Sequence, residues 1–347
     1  MLDGVELLVK SPGVPREAPL VRAAERRGVP IWSEIELGYR LLRPRPWIGV
    51  TGTKGKTTTT ELLGAIFRAT GRPVEVAGNV GRPVTSLDPP ADAWIVCELS
   101  SFQLEDVHEL ELEVAVLLNL EPDHLDRYRS FDDYRAAKLR IFERARIKVV
   151  PRGMGFDGVE FGADDELPAE LRIPGAHNRA NAAAATAAAR AVGIDDAAIA
   201  EALAAFAGVP HRLELVRERN GVRWVNDSIA TNTLAVRRGV EAFDAPVLLI
   251  LGGRAKGEDY VAFARALPPN VREIYLVGEA TEEFARALDA AGRRYERVGT
   301  IAGAVDAAAR DARAGDVVLL SPAAASYDQF ENFEQRGETF RRLVEEL

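Results

Sequence analysis

Residues 47–63, WIGVTGTKGKTTTTELL, set a strand, a tight turn and a helix in immediate succession, and so commit this part of the chain to an α/β fold. WIGV is a short apolar run of strand type. Gly52 and Gly55 let the backbone turn sharply and present its N–H groups. KTTTTELLGAIFRAT then carries Leu62, Leu63, Ile66 and Phe67 on one helical stripe. The stretch almost matches the phosphate-loop pattern G-x-x-x-x-G-K-[ST], with Val50 standing where that pattern starts on glycine. In such a loop Lys56 reaches the β- and γ-phosphates, the Thr57 hydroxyl suits Mg²⁺, and the helix N-terminus adds partial positive charge. A solvated turn that merely contains a lysine is the bland alternative, and the strand–loop–helix setting weighs against it.

The runs AWIVCEL and VAVLLNL are continuously apolar, as strands of a parallel sheet covered on both faces should be. SFDDYRAAKLRIFERA reads as a helix capped by Ser130 and KVVP as a further strand. Residues 152–174 read as irregular strands and loops, followed by two alanine-rich helices. From 212 onward, strand and helix alternate again to a final helix ending at Leu347, a second doubly wound unit. The first 45 residues read as a strand, a proline-rich turn, a helix and a second short strand, too little to bury a core alone. The expected division is therefore 1–45, 46–208 and 209–347.

A net charge of −9 argues against a nucleic-acid partner. One cysteine, Cys97, excludes an internal disulfide framework, and its apolar setting suggests a buried, inert thiol. No apolar run reaches membrane-spanning length and the start lacks a signal-peptide pattern, so a cytoplasmic enzyme without a membrane partner is expected, as a monomer.

Two further motifs fall at strand ends, where open α/β sheets place ligands. Glu98, in CELSSFQ, is either an Mg²⁺ ligand or a helix-capping anion. NLEPDHLDRY sets Asp123, His124 and Asp126 after the next strand, and a histidine between two carboxylates there is about as consistent with a metal ligand as with an exposed side chain.

Taken in order, TGTKGKTTT, GNVGRP, ELSSFQLE, NLEPDHLDRY, YRAAKLRIF, GAHNRANAAAA, HRLE, NDSIATN, LGGRAKGEDY and SPAAASYDQFENFEQRGETF resemble the Mur ligases, from about residue 5 to the end. The resemblance implies a P-loop central ATPase domain with a mostly parallel sheet, a Rossmann-like C-terminal α/β domain, and a partial Rossmann-like N-terminal segment. It implies an ATP-dependent amide ligase of peptidoglycan precursor synthesis, with the C-terminal motifs most similar to those of the D-glutamate-adding branch. ATP would phosphorylate the carboxylate of UDP-MurNAc-L-alanine, and the D-glutamate amine would displace phosphate. ATP contacts are then expected from Gly52, Thr53, Gly55, Lys56, Thr57, Thr58, Asn178, Asn181, Arg212 and Asp227, the last two from a domain that closes over the nucleotide. The resemblance further implies two Mg²⁺ ions held with Thr57, Glu98 and His124. Lys138 matches a lysine that becomes a carbamate and so a further ligand; read alone, it is an ordinary helix-surface lysine. Lys56, Asn79, His124 and Lys138 form the implied catalytic set. D-Glutamate would meet Thr231, Lys256, Ser326, Tyr327 and Phe333, with Ser326 expected to open a helix, while Ser11, Gly13 and Asn79 would meet the nucleotide sugar. For Asn178 and Asn181 the bland reading is N-capping.

The chain departs from the family pattern in three places. The N-terminal domain is represented only by its last part, so the start is expected to be missing, called too late, or replaced by another way of binding the nucleotide sugar. Ile229 stands where DSKATN has lysine, and only 38 residues separate Lys138 from His177. Another ligase of the superfamily, a folylpolyglutamate synthase-like enzyme, and a truncated nucleotide-binding protein without ligase activity are the competing readings. The absence of D-N-P-R counts against the diamino-acid-adding ligases.

Overall fold

A computed structural model describes residues 2–123, 127–173 and 175–347. The chain divides into two compact units, Met1–Ala207 and Gly208–Leu347.

In the first unit, β1 (Leu8–Lys10), α1 (Pro19–Arg27), β2 (Ile31–Ser33) and α2 (Glu34–Leu42) come first. β1 and β2 pair in parallel as a sheet of two strands. The pattern of SEIELGYR does not foretell α2. It forms because the Ser33 hydroxyl at the end of β2 accepts the Glu36 N–H at 3.2 Å, so a helix begins at once. Then follow β3 (Trp47–Thr51), α3 (Lys56–Ala69), β4 (Val74–Gly78), β5 (Trp94–Glu98), α4 (Ser101–Leu104), β6 (Leu112–Leu117), α5 (Phe131–Leu139), β7 (Ala145–Pro151), β8 (Val159–Phe161), α6 (Ala176–Ala191) and α7 (Asp196–Ala205). The strands from β3 on form one parallel sheet in the order β4-β5-β3-β6-β7-β8. Val50, Val96 and Val116 are fully buried, which accounts for the unbroken apolar runs. Leu62, Leu63, Ile66 and Phe67 of α3 are equally inaccessible; burial of each side chain contributes roughly 1.5–3 kcal/mol. Cys97 is also buried, and desolvation pushes its thiol up, away from the reactive thiolate.

The second unit runs β9 (Glu214–Arg219), β10 (Val222–Asn226), α8 (Thr233–Glu241), β11 (Val247–Gly252), α9 (Tyr260–Ala266), β12 (Val271–Val277), α10 (Thr281–Ala290), β13 (Glu296–Gly299), α11 (Ile301–Asp311), β14 (Val317–Leu320) and α12 (Phe333–Glu346). Its sheet has the order β13-β12-β11-β14-β10-β9, parallel except for β9. β11 leads to β12 on one side while β14 returns on the other, so the crevice opens at the carboxyl ends of β11 and β14. No helix among the described residues is long and apolar enough to cross a membrane.

Candidate functional site

Strand register brings the first unit's motifs to one edge. Gly78, Glu98, Val50 and Val116 lie in a single row across β4, β5, β3 and β6. The segments that leave this row are GNVG, ELSS, TGTKGKT and NLEPD, which is why motifs far apart in sequence share one crevice. Val50 is a buried strand residue inside this row, so its position makes no demand for glycine.

The phosphate loop is held from both sides. Gly55 caps α3 with φ +84°, and a Cβ placed on it would lie 2.2 Å from Asn181 Oδ1 on α6. Asn181 is thus packed at the loop, whereas Asn178 lies one turn closer to the start of α6. Neither caps that helix, since Gly175 holds the cap position without a side-chain bond. Asn119 grips the loop by accepting the Lys54 N–H on Oδ1 at 2.8 Å and donating from Nδ2 to the Lys54 carbonyl at 3.0 Å. The Thr53 hydroxyl lies 3.1 Å from the Tyr134 hydroxyl and accepts the Glu121 N–H at 3.0 Å. Lys56 Nζ donates to the Gly52 and Thr53 carbonyls at 3.0 and 3.1 Å. Thr57 is buried and Thr58 half-buried on the first turn of α3.

Lys138 is not a surface lysine. It is 2% exposed, and its Nζ donates at 2.8 Å to the same Gly52 carbonyl that receives Lys56. Burial, and then the neighbouring Lys56 ammonium, push its pKa down to about 7, against the opposing pull of Asp123 and Glu98. Glu98 is 3% exposed; Oε1 accepts the Asn79 amide at 3.0 Å, and Oε2 has no hydrogen-bond partner. A buried carboxylate oxygen without a donor is what a cation ligand looks like before the cation is considered, so the residues fit Mg²⁺ here. Gly78 permits this arrangement, because at φ +123° a Cβ would stand 2.2 Å from the Glu98 carbonyl. Asn79 therefore lies at the Glu98 end of the crevice. Ser11 and Gly13, the other residues expected to meet the nucleotide sugar, are on an exposed loop that Arg127 holds by its Pro12 and Val14 carbonyls at 2.8 and 3.0 Å. His124 and Asp126 lie outside the described residues.

In the second unit, the expected D-glutamate residues lie on the segments that follow β10, β11 and β14, with Phe333 opening α12. Lys256 Nζ donates to the Thr231 hydroxyl at 2.9 Å, and burial with the Arg336 charge lowers its pKa although Glu258 opposes the shift. The loops that carry them are tied by paired Arg254–Ala325 backbone bonds and by Ala323 N–H to the Ala230 carbonyl at 2.9 Å. Ser326 is buried, but it does not open a helix. A turn follows it, with the Gln329 and Phe330 N–H groups on its carbonyl, and α12 starts at Phe333 because Asn332 is the residue that caps it. Tyr327 is 64% exposed. Asp227 is buried; its carboxylate accepts from the Ser321 hydroxyl at 2.7 Å and the Leu213 N–H at 3.2 Å. Burial pushes its pKa up to about 7 despite those bonds. Arg212 is exposed, and Ile229 is half-buried with its N–H on the His211 carbonyl.

Residue-type reasoning passed over Arg336. It is 1% exposed and reaches the Ser228 carbonyl and hydroxyl and the Ala324 carbonyl at 2.9–3.1 Å, so one guanidinium joins the loops after β10 and β14. Desolvation lowers its pKa to about 10. The available signal was its position on the buried stripe of α12 with Gly337, Phe340 and Val344. Asn119 and Tyr134 open NLEPDHLDRY and YRAAKLRIF but were given no role, since a loop amide and a helix phenol announce no chemistry by type.

The chain matches two family models, one described as "Mur ligase middle domain" over residues 50–154 and one as "Mur ligase, glutamate ligase domain" over residues 211–324. It is 40% identical over 379 residues to the UDP-N-acetylmuramoylalanine–D-glutamate ligase of Desulfitobacterium hafniense (strain Y51), covering 98% of this chain and 83% of that protein. The enzyme of the same description from Anaeromyxobacter dehalogenans (strain 2CP-C) is 42% identical over 393 residues, with 99% and 84% covered. Among solved structures, the UDP-N-acetylmuramate-alanine ligase MurC of Thermotoga maritima aligns with a TM-score of 0.60 at 20% identity, covering 100% of this chain and 87% of that one. E. coli FolC in complex with DHPP and ADP aligns at 0.61 and 18%, covering 97% and 99%. These two likenesses concern the fold.

Proposed function

The chain belongs to the Mur ligase family, and on that premise we propose that it is an ATP-dependent UDP-N-acetylmuramoylalanine–D-glutamate ligase of peptidoglycan synthesis. The observation that carries this reading is identity of about 40% to ligases of that description along nearly the whole chain.

In this reading the acceptor carboxylate of UDP-MurNAc-L-alanine attacks the γ-phosphorus of ATP, ADP leaves, and an acyl phosphate forms. The D-glutamate amine, having lost a proton, then attacks the acyl carbon; the C–N bond forms and phosphate departs. Both steps bring anions together, so fixed positive charge is the main catalytic requirement. The loop N–H groups, from Gly52 through Thr58, and the Lys56 ammonium bind the triphosphate. Asn79 fixes one oxygen of Glu98 and leaves the other to face a cation. Mg²⁺, in two ions, supplies charge neutralisation on the phosphoryl oxygens. The residues proposed to hold it are Thr57, Glu98, His124 and Lys138 as a carbamate. That carbamate arises when the neutral Lys138 amine adds to CO₂, forming an N–C bond and releasing a proton; a buried amine with a pKa of about 7 is suited to it. Asn178 and Asn181 serve the nucleotide, with Arg212 and Asp227 as further contacts. Thr231, Lys256, Ser326, the Tyr327 backbone and Phe333 serve D-glutamate, with Lys256 as the cation for its side-chain carboxylate. Ser11 and Gly13 serve the nucleotide sugar. We place the reaction in the cytoplasm, with a monomeric enzyme.

The test is a phosphate-release assay with UDP-MurNAc-L-alanine, ATP and Mg²⁺. Release is expected only when D-glutamate is added, with an amide product of the corresponding mass. Phosphate release indifferent to D-glutamate, or satisfied equally by L-glutamate, would reject the assignment.

A further inference from the structure

The Ser11–Pro15 loop and the phosphate loop are joined by an unbroken line of side chains to which the sequence alone assigns no role. Arg127 donates from Nη1 to the Pro12 carbonyl at 2.8 Å and from Nη2 to the Val14 carbonyl at 3.0 Å, gripping the loop on either side of Gly13. Its guanidinium carbon lies 3.9 Å from the centroid of the Phe102 ring. Phe102 stacks on Tyr128 at 5.7 Å and 10°. Tyr128 meets Tyr134 edge-on at 5.4 Å and 66°. Tyr134 is 1% exposed, its hydroxyl lies 3.1 Å from Thr53 Oγ1, and Lys138 Nζ sits 4.8 Å from its ring centroid.

Each member suits a rigid link. A guanidinium is a planar fork that can hold two carbonyls and still stack on a ring, which an ammonium cannot do. Aromatic rings are large planar contacts that prefer stacked or edge-on arrangements with centroids about 4.5–7 Å apart, as both ring pairs here show. Phe102 belongs to α4, which starts three residues after Glu98, so the link also passes the carboxylate end of β5. Gly13 itself has no neighbour within 4 Å of a Cβ position and does not require a left-handed backbone, so neither packing nor turn geometry requires glycine there. An open, side-chain-free surface beside two clamped carbonyls leaves room for a ligand to approach the backbone.

We propose that Arg127, with the ring series Phe102–Tyr128–Tyr134, is a positioning strut that fixes the nucleotide-sugar loop relative to the phosphate loop and so sets the separation of acceptor carboxylate and γ-phosphate. This rests on reading Ser11–Pro15 as a contact for the nucleotide sugar. Phosphoryl transfer tolerates little misplacement, and an error of about 1 Å costs on the order of 100-fold.

The experiment compares Arg127→Lys, Tyr134→Phe and the double variant in steady-state ligation, with thermal unfolding as a control. Arg127→Lys keeps the charge but loses the fork. It should raise KM for UDP-MurNAc-L-alanine about 10-fold and lower kcat, while KM for D-glutamate stays within about twofold. The effects of Arg127→Lys and Tyr134→Phe on kcat should combine to less than their product, because the second cut falls on a strut already broken. If Arg127→Lys loses more than a few degrees in Tm, Phe102→Leu, which removes the ring but leaves the fork, carries the same test. The proposal is overturned by a wild-type-like Lys variant, by parallel rises in all three KM values with a loss of Tm, or by effects that multiply fully. Wild-type enzyme without D-glutamate-dependent turnover would instead reject the ligase reading.

Discussion

At pH 7 a lysine with the usual pKa of 10.5 is neutral in about one molecule in three thousand, whereas with a pKa of about 7 half of the Lys138 amines are neutral. Only the neutral amine adds CO₂, so burial beside Lys56 favours the carbamate proposed for this side chain. The linkage has a definite sign. Below pH 7 Lys138 is charged in both folded and unfolded chains, and the native state bears the full cost of burying it. From pH 7 to 10.5 the unfolded chain holds the extra proton, so stability rises with pH across that window. In CO₂-free buffer, chemical denaturation should therefore show wild-type stability increasing from pH 7 to 9, by about 2 kcal/mol, and Lys138→Met should remove the slope. A slope that persists in Lys138→Met would assign it to another group. In ligation assays Lys138→Ala should cost at least ~100-fold in turnover while ATP affinity, by calorimetry, changes only a few-fold. Near-normal turnover would dispose of the carbamate.

At the scale of elements, the contact between the start of α3 and α6 is sensitive to a single methyl group. Gly55→Ala would have to hold φ +84°, at about 1–2 kcal/mol, and would drive a Cβ to 2.2 Å from Asn181 Oδ1. The variant should lose several degrees in Tm and at least ~10-fold in ATP affinity, because the loop must move off its N–H geometry. Gly55→Ala/Asn181→Ala removes the clash but not the backbone strain. It should be less destabilised than the sum of the single changes, and strict additivity would show that no clash exists. The same elements show what could be read in advance. β3, β5 and β6 are buried on both faces, and such strands leave continuous apolar runs in any sequence. The phosphate loop, Glu98 and their shared edge follow from those runs and from strand order. α2 was hidden because its helical stripe, Ile35, Tyr39 and Leu42, is short and mixed with charges, and the deciding signal was the Ser33 cap. The helix expected at Ser326 was misplaced by seven residues, since SPAAASYDQFEN has no period and Asn332 is the capping residue. Lys138 and Arg336 could not be recognised by type: both are cations on helix faces whose burial depends on partners distant in sequence.

At the scale of the whole molecule, the question is what holds the first 45 residues. Two parallel strands of three residues each cannot stand alone in water, so their order must come from the rest of the first unit. The attachment is apolar where Ile35, Tyr39 and Leu42 of α2 join a buried cluster with Trp47, Val84 and Ile95, and polar around it. Lys10, 4% exposed, pairs with Asp106 at 2.7 Å. The Ser33 N–H donates to the Asp106 carbonyl at 2.9 Å, and the Thr85 N–H and hydroxyl donate to Glu34 at 2.7 and 2.9 Å. The centre is Glu36, fully buried, whose carboxylate accepts the N–H groups of His108 and Glu109 at 2.9–3.1 Å and Arg40 Nε at 2.8 Å. Removing that carboxylate would leave two backbone donors and part of a guanidinium without their acceptor, at about 1–3 kcal/mol for each buried group left unmade. Glu36→Ala should therefore cost about 2–5 kcal/mol, and Glu36→Gln less, because an amide oxygen still serves one donor. The attachment is a set of bonds on one segment, so its loss should be regional. Hydrogen exchange should show residues 8–42 and 106–109 losing protection together in Glu36→Ala, while β11, β12 and β14 keep theirs. ATP affinity should remain within a few-fold, since Glu36 accepts from Arg40, His108 and Glu109, and KM for the nucleotide sugar should rise with the loosening of the Ser11–Pro15 loop. Uniform loss of protection through both units would show instead that Glu36 supports the whole fold rather than the seating of its first segment.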